Sequence, residues 1–129
     1  MKVMGIVGSP RKGGNTEIMV EEVLEATRQA GAETDIFLIV GKTINGCDAC
    51  GSCARTGRCK IKDDMQLLYK KMEWADAIVF GSPVYFNYVT AQAKAITTLA
   101  IRPHAFLMFG SPSFPDIQKY GILERWNRK

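Results

Sequence analysis

Short apolar runs recur along the chain at residues 2–8, 35–40 and 77–80, and each ends at polar or turn-forming residues. Runs of this length are too short for helices and are typical of strands that are buried in a sheet. A further apolar run at residues 104–109 favours a fourth strand. The pattern therefore predicts three buried strands and one more near the end of the chain.

The first predicted strand is followed by a segment with apolar residues at helical spacing. Asn15 or Thr16 can serve as the N-cap of this helix, and Gly31 supplies a left-handed stop. The apolar positions at helical spacing are Met19, Val23, Ala26 and Ala30, with Val20, Leu24 and Thr27 beside them.

Two further helices complete the alternation. Asp63 can cap one of them, with Gln66 at the capping-box position, and the other spans about residues 90–100. A short helix is also indicated around residues 117–126. Strands that alternate with helices imply a parallel sheet with right-handed crossovers, so we expect one α/β domain over residues 1–129.

The composition limits the classes of function. With 129 residues, 47% hydrophobic and 23% charged, the chain has the composition of one soluble globular domain rather than a disordered tail or a coiled coil. No apolar run approaches the roughly 20 residues that span a bilayer, so no membrane role is expected. The net charge of +4 suits anionic small molecules or acidic partners. Aromatic residues are not interleaved with a basic stripe, so nucleic acid is not an expected partner.

The loop at residues 41–62 contains all four cysteines of the chain, Cys47, Cys50, Cys53 and Cys59. A domain of this length needs no disulfide to hold its fold, so the cysteines require a chemical explanation. They are crowded rather than spread as a disulfide framework, and the sequence opens without a secretory apolar region. We therefore expect a reducing cytoplasm.

The spacing of the cysteines favours metal binding. Three cysteines at successive two-residue separations resemble the first part of a ferredoxin run, whereas structural zinc usually uses pairs separated by about a dozen residues or more. Here the fourth cysteine follows after five residues and precedes Lys60, which favours one self-contained [4Fe–4S] cluster. Zinc and free redox-active thiols remain open alternatives. Basic residues surround the cysteines. They form a solvated face, compensate for thiolate charge or dock an acidic electron carrier, and they are Lys42, Arg55, Arg58, Lys60 and Lys62.

A glycine-rich polar loop at residues 8–16 joins the first strand to the first helix. A helix N-terminus presents N–H groups without helical acceptors and a partial positive charge, which together favour phosphate. The loop is neither a Walker A loop nor a G-x-G-x-x-G turn, and an ordinary polar turn is the alternative interpretation. The candidate phosphate ligands are Ser9, Arg11, Asn15 and Thr16.

An aromatic loop follows the third predicted strand. In an open α/β sheet, ligands bind outside the carboxyl ends of the strands. Tyr85 and Phe86 are suited to pack on a flat heterocycle, and Asn87 to reach its polar edge, although such a loop can equally cover a core. The candidate residues are Pro83, Val84, Tyr85, Phe86 and Asn87.

Together, the three motifs resemble those of iron–sulfur flavoproteins within the flavodoxin-like NAD(P)H-dependent FMN reductase superfamily. The resemblance covers about residues 1–94 and rests on residues 8–16, the four-cysteine motif and residues 81–86. It implies a flavodoxin-like, doubly wound parallel sheet of order 2-1-3-4. It also implies that Ser9, Arg11, Asn15 and Thr16 hold the FMN phosphate. By the same resemblance, residues 83–87 border the isoalloxazine and ribityl chain, and the four cysteines ligate a [4Fe–4S] cluster.

The resemblance implies an electron-transfer flavoprotein that couples two-electron flavin chemistry to one-electron carriers such as a ferredoxin-like protein. NAD(P)H is a candidate electron donor, and a homodimer or homotetramer is expected. One alternative is a cluster-free NAD(P)H-dependent FMN or quinone reductase. The other is a non-enzymatic redox-sensing module that responds through its thiols or a bound metal.

The segment from about Ile96 onward departs from the family pattern. Our hypothesis is that it is a truncated or frame-shifted replacement of the family's carboxyl third, which leaves the fifth strand missing. The Gly-Ser-Pro-Ser segment at residues 110–113 is then a candidate substitute for a third flavin loop.

Overall fold

The structure, a computed structural model, describes the backbone of residues 1–109 and the side chains of residues 1–100. Its main sheet is parallel, with the order β2-β1-β3, and consists of β1 (Lys2–Val7), β2 (Glu33–Leu38) and β3 (Ala77–Gly81). This confirms the predicted α/β class and the order of the first three strands. The loop predicted at residues 110–113 and the helix at 117–126 lie outside the described residues.

Helices cover both faces of the sheet, and a small antiparallel hairpin extends from its carboxyl edge. The helices are α1 (Asn15–Gln29), α2 (Ser52–Thr56), α3 (Met65–Trp74) and α4 (Ala91–Phe109). The hairpin strands are β4 (Val84–Tyr85) and β5 (Tyr88–Val89). No helix within residues 1–109 is long and apolar enough to cross a bilayer.

The central strand β1 supplies side chains to two separate cores. On one face, Val3 and Val7 pack with Val20 and Leu24 of α1. On the other face, the buried cluster joins β1 and β2 to α3 and α4, and its members are Met4, Ile6, Phe37, Ile39, Met65, Leu68, Tyr69, Ile96 and Leu99. Alternate burial on both faces is what a doubly wound sheet requires.

Helix α1 packs through a different stripe from the predicted one. It buries Val20 and Leu24, whereas Met19 is 70% exposed and Val23 is 44% exposed. A Cβ atom on Gly5 of β1 would lie only 2.7 Å from Val20 Cγ1 and 2.8 Å from Leu24 Cδ1. Because α1 packs closely against the sheet at Gly5, the stripe that contains Val20 and Leu24 is the one that becomes buried.

Replacing Gly5 with alanine is expected to lower the free energy of unfolding by about 2 kcal/mol, because the added methyl overpacks a close contact. Gly46→Ala is the matched control, since nothing lies within 4 Å of its built Cβ. The check is urea denaturation of both variants. Equal midpoints for the two alanine variants would contradict the proposed close packing.

The start of α1 also differs from the prediction. Gly14, rather than Asn15 or Thr16, is the N-cap, and no side chain caps the helix from that position. Instead, the Glu17 carboxylate in the first turn accepts the N–H of Gly13 at 2.6 Å. This bond satisfies a donor of the loop and ties the loop to the first turn of α1, while the first N–H groups of the helix keep no capping side chain.

The N-cap of helix α3 is Asp64, one residue after the predicted Asp63, and the Asp64 side chain makes no capping hydrogen bond. Asp63 Oδ1 accepts the N–H of Met65 at 3.0 Å. Gln66 does not complete the capping box, because its amide donates to the carbonyls of Ile61 (2.6 Å) and Cys59 (3.3 Å). Gln66 thus ties α3 to the end of the cysteine loop.

The fourth strand predicted at residues 104–109 is wrong, because the backbone there continues α4. The run contains alanine, leucine and methionine but no β-branched residue, so its propensity favours a helix. Helix α4 also passes through Pro103 instead of ending near residue 100. Among the described residues, the sheet therefore has three strands.

The expected burial of β3 is also only partly observed. Ile78 is 43% exposed and Phe80 is 37% exposed, whereas Val79 packs against the core on the α1 side. Within residues 1–109, β3 pairs with β1 alone. One edge of β3 consequently has no neighbouring strand in the described part of the chain.

Candidate functional site

The carboxyl ends of β1 and β3 meet at two glycines. The N–H of Gly8 donates to the carbonyl of Gly81 at 2.7 Å. A Cβ on Gly8 would lie 2.7 Å from Ala93 Cβ, and one on Gly81 would lie 2.5 Å from Val20 Cγ2. Only glycine therefore allows α1 and α4 to approach this edge, where both predicted ligand loops begin.

The loop after β1 is held by internal hydrogen bonds. The Ser9 hydroxyl is buried and accepts the N–H of Arg11 at 3.2 Å. Gly13 adopts a left-handed conformation (φ 65°), which suits a glycine, and donates to Glu17. Arg11 and Asn15 are exposed. Ser9 is thus a loop-shaping residue in this structure, and the guanidinium is left accessible.

The N-terminus of α1 meets the requirements of a phosphate site. The first helical hydrogen bond runs from the N–H of Ile18 to the carbonyl of Gly14 at 3.1 Å. The N–H groups of Asn15, Thr16 and Glu17 precede it, so they have no acceptor within the helix. These donors and the exposed Arg11 provide the electrostatics that an FMN phosphate needs.

The aromatic loop forms a hairpin with a tight turn. Phe86 and Asn87 have positive φ angles of 47° and 62°, the signature of a type I′ turn between β4 and β5. The Phe86 side chain is fully exposed, and Val84 is 76% exposed and Tyr85 is 51% exposed. The hairpin therefore presents apolar surface to solvent instead of covering the core. An exposed apolar surface at this edge suits a flat ring.

Thr90, which sequence reasoning missed, ties the hairpin to the loop after β1. Its hydroxyl is completely buried and donates to the carbonyl of Gly8 at 2.6 Å. The same oxygen accepts the N–H of Ala93 at 3.0 Å, and the Thr90 N–H donates to Ser82 Oγ at 3.2 Å. One sequence signal could have identified this residue: threonine is a preferred N-cap residue, and Thr90 stands just before a helix.

Replacing Thr90 with valine keeps the shape but removes the hydroxyl. We expect the free energy of unfolding to fall by about 2–3 kcal/mol, because the Gly8 carbonyl and the Ala93 N–H lose their buried partner. Thr90→Ser keeps the hydroxyl and should cost about 1 kcal/mol for the lost methyl. Urea denaturation checks both, and a serine variant as unstable as the valine variant would contradict the role of the hydroxyl.

All four cysteines line one small cavity. Its other walls include Ile61, Tyr69 of α3 and Leu99 of α4. Cys53 lies on the short helix α2, which begins and ends next to left-handed glycines, Gly51 and Gly57, both with φ 69°. The structure thus brings together residues that the spacing predicted to share a site.

Backbone hydrogen bonds hold the cysteine loop against the start of α3. The N–H of Thr43 donates to Asp64 Oδ2, and the N–H of Asn45 donates to Asp63 Oδ2, both at 2.7 Å. These acidic residues therefore do more than start a helix. They fix the segment that leads into Cys47.

An ion pair connects the two ends of the cysteine segment. Lys60 Nζ lies 3.2 Å from Asp48 Oδ2. Hydrogen bonds from Cys50 and Lys60 lower the pKa of Asp48, and the Asp48 carboxylate raises the pKa of Lys60, with Cys50 adding to it. Both side chains are exposed, so the pair contributes little stability. It does place a cation beside the Cys50 sulfur.

Within the described residues, no three His, Cys, Asp or Glu side chains converge closely enough to hold one metal ion.

Helix α4 touches both candidate sites. Thr90, the residue just before the helix, and Ala93 in its first turn contact Gly8, the first residue of the candidate phosphate loop (residues 8–16). Leu99, further along the same helix, lines the cysteine cavity. At 1.5 Å rise per residue, Thr90 and Leu99 lie about 13 Å apart along the helix axis. One rigid element therefore sets the spacing between the two sites.

The parallel sheet, with two ligand loops at its carboxyl edge, defines a flavodoxin-like α/β protein. A family model for NADPH-dependent FMN reductases matches residues 1–112, and the chain belongs to this family. The match extends beyond residue 94, where the resemblance based on the motifs ended. The recognition of the FMN reductase superfamily is thereby confirmed.

Individual relatives refine the comparison. An iron–sulfur flavoprotein of Methanocaldococcus jannaschii is 47% identical over 96 residues, covering 74% of this chain and 50% of that protein. An iron–sulfur flavoprotein of Methanosarcina thermophila is 44% identical over 96 residues, with the same coverage of 74% and 50%. A solved flavone reductase has a TM-score of 0.60 at 28% identity, covering 75% of this chain and 28% of that one. The chain spans about half the length of the curated relatives it matches.

Proposed function

We propose that this chain is an FMN-dependent oxidoreductase that carries a [4Fe–4S] cluster on Cys47, Cys50, Cys53 and Cys59. The observation that carries the proposal is the cavity that all four cysteines line, beside the helix whose N-terminal end meets the phosphate loop. When bound, the two groups supply two-electron and one-electron redox chemistry, respectively. The names of the similar archaeal flavoproteins support the same assignment.

The flavin half of the proposal rests on the loop after β1. Arg11, Asn15 and Thr16 bind the phosphate together with the N–H groups at the start of α1. Ser9 holds the loop in shape through its bond with Arg11. Residues 83–87 border the ring and the ribityl chain, and the exposed apolar side chains of the hairpin shield one side of the ring from water.

The assignment of the [4Fe–4S] cluster rests on the chemistry of the four cysteine ligands. Four thiols are the ligands that a [4Fe–4S] cluster requires, and each binds a different iron. The successive two-residue separations of the first three cysteines favour such a cluster over structural zinc, which usually uses pairs of cysteines separated by about a dozen residues or more. Lys60, beside Cys50, offsets part of the negative charge of the thiolates.

The remaining expectations follow from this assignment. NAD(P)H is the candidate electron donor, and a ferredoxin-like protein is the candidate one-electron partner. Two or four copies of the chain assemble, and the protein works in the reducing cytoplasm. Basic residues around the cysteines, such as Arg55 and Arg58, suit an acidic carrier.

The test is anaerobic purification, with iron, acid-labile sulfide, zinc and flavin measured per chain. The proposal predicts about four iron and four sulfide per chain together with FMN. Zinc without sulfide, with FMN present, would instead identify the cluster-free reductase. Thiols without metal or flavin would identify the redox-sensing module.

A further inference from the structure

Strand β3 forms one edge of the main sheet, and within residues 1–109 no strand lies on its outer side. Its residues, Ala77–Gly81, include no charged residue and no proline. The opposite edge strand, β2, carries the acidic residues Glu33 and Asp35. Natural edge strands are often protected by charges or prolines, because an unpaired edge pairs readily with another strand. The β3 edge lacks both devices, so it is suited to strand pairing.

The backbone groups that β3 points outward follow from its pairing with β1. The carbonyl of Gly81 points toward β1, because it accepts the N–H of Gly8 at 2.7 Å. Along a strand, the N–H and the carbonyl of one residue point to the same side, and successive residues alternate. Val79 therefore also points its backbone groups toward β1, whereas Ile78 and Phe80 point theirs outward. These are the groups that a further strand would bind.

The side chains of the same two residues leave apolar surface at this edge. Ile78 and Phe80 are both exposed, although they belong to the sheet. They lie on the face opposite to Val79, whose side chain packs on the α1 side. Helix α4 leaves them partly uncovered, because its buried residues Ile96 and Leu99 pack in the cluster with β1 and β2.

Helix α1 adds a second exposed apolar surface beside the same edge. Met19 and Val23 are exposed and lie about one turn apart on one side of the helix. On its other side, Glu21 and Glu25 border a groove against β2. Met19 and Val23 therefore face away from β2, toward the side of β3. A partner at the β3 edge would cover part of both apolar surfaces.

An identical strand fits the β3 edge when it runs antiparallel. With Val79 of each copy on a two-fold axis perpendicular to the sheet, Ile78 of one copy stands opposite Phe80 of the other. Each such pair exchanges two N–H···O bonds, because these residues have the outward backbone groups. It also places a β-branched side chain against an aromatic one, which is a favourable cross-strand pair. The two Asp76 carboxylates lie at opposite ends of the joined strands, so like charges do not meet.

The remaining residues of the same chain are less suited to this edge. Residues 110–129 include Pro112 and Pro115 and have no more than two adjacent hydrophobic residues. Proline has no N–H to donate to a neighbouring strand. The apolar spacing in this segment favours a helix at about residues 117–126 rather than a strand. A second copy of β3 is therefore the better occupant.

We propose that two copies of this chain pair antiparallel along β3, with Val79 of both copies at the two-fold axis, and that their sheets join into one. The proposed function expects two or four copies without locating their contact, and this interface goes beyond it. The pairing needs neither FMN nor a cluster. In the joined sheet both α1 helices lie on the same face, with Met19 and Val23 on the side of the axis.

The first measurement is the mass of the full chain, purified anaerobically, by sedimentation equilibrium. We expect twice the mass of one chain. Phe80→Lys should raise the Kd of the dimer about tenfold or more, because it places a cation against Ile78 of the other copy. Leu67→Lys is the matched control, since Leu67 is exposed on α3, which an ion pair joins to β2 at the other edge. It should leave the Kd unchanged.

The second measurement tests the register by a disulfide between copies. Val79→Cys places two thiols at a directly opposed pair without hydrogen bonds, with Cα atoms about 4.5 Å apart. Ile78→Cys is the control. Ile78 is the more exposed position, but its two copies stand two residues out of line, roughly 8 Å apart and beyond the reach of a disulfide. With glutathione disulfide as the oxidant, mass spectrometry should find the linked peptide in Val79→Cys and little of it in Ile78→Cys.

A chain that stays monomeric would overturn the proposal and favour residues 110–129 as the occupant of the edge. A dimer that Phe80→Lys leaves intact would also overturn it, as would equal linking of the two cysteine variants. If Phe80→Lys does not fold, as judged by far-ultraviolet circular dichroism, the two cysteine variants still decide. Iron, sulfide and FMN are measured on the same preparation. A dimer without them would overturn the proposed function and leave this interface in place.

Discussion

Replacing Cys53 with alanine is expected to remove the iron and sulfide from the chain while FMN stays bound. Cys53 lies on α2 and lines the cavity together with the other three cysteines. A cluster that loses one of its four thiolates has an open iron, which is prone to loss. The phosphate loop lies at the other end of this stretch of α4, so the flavin site should be unaffected. The check is iron, sulfide and FMN content per chain after anaerobic purification.

Ser52→Ala is the matched control for this variant. It removes a side-chain heteroatom from the neighbouring position of the same short helix and leaves all four thiols in place. Iron and FMN contents should equal those of the unmodified protein. Full iron and sulfide in Cys53→Ala would show that Cys53 is not a ligand. A parallel loss of FMN would show that the two sites are not independent.

Replacing Arg11 with alanine should weaken FMN binding about 10- to 100-fold, because a charge-assisted contact to phosphate is lost. Arg11 is exposed, and its Cγ and Cδ atoms lie 3.5 Å from the Cβ position built on Gly14, the N-cap of α1. The cysteine site should keep its iron. The Kd of FMN, measured by quenching of flavin fluorescence on titration into the flavin-free protein, checks this prediction.

Arg28→Ala provides the matched control, because it makes the same chemical change at the opposite end of α1. Arg28 forms an exposed ion pair with Glu25, and such pairs contribute little to stability. If general positive charge attracted FMN, both variants would weaken binding equally. A Kd unchanged in Arg11→Ala would remove this residue from the phosphate site.

Local sequence patterns were sufficient to predict the strands of the main sheet and the end of α1. The short apolar runs predicted all three strands of the described sheet, and Gly31 ends α1 in a left-handed conformation as expected. The prediction of a strand at residues 104–109 was wrong, because a continuous apolar run has no period that distinguishes a strand from a buried helix. The buried stripe of α1 was misassigned for another reason. It depends on where Gly5 lets the helix approach the sheet.

The candidate site also has a part that the sequence predicts and a part that depends on tertiary packing. Spacing alone predicted that the four cysteines act together, because residues so close in sequence cannot lie far apart. Thr90 and Tyr69 were not found, although each has a hydroxyl in the interior. Their partners, the carbonyls of Gly8 and Leu99, are distant in sequence. Such pairings exist only after helices and strands have packed.

The sequence by itself determined the alternation of strands and helices, the cysteine loop and the glycine-rich loop, because each depends on neighbouring residues. The tertiary structure alone decided how these parts meet. Helix α4 contacts the phosphate loop through Thr90 and the cysteine cavity through Leu99. The reason is that buried polar groups must find partners wherever packing brings them, and the identity of those partners depends on the whole fold.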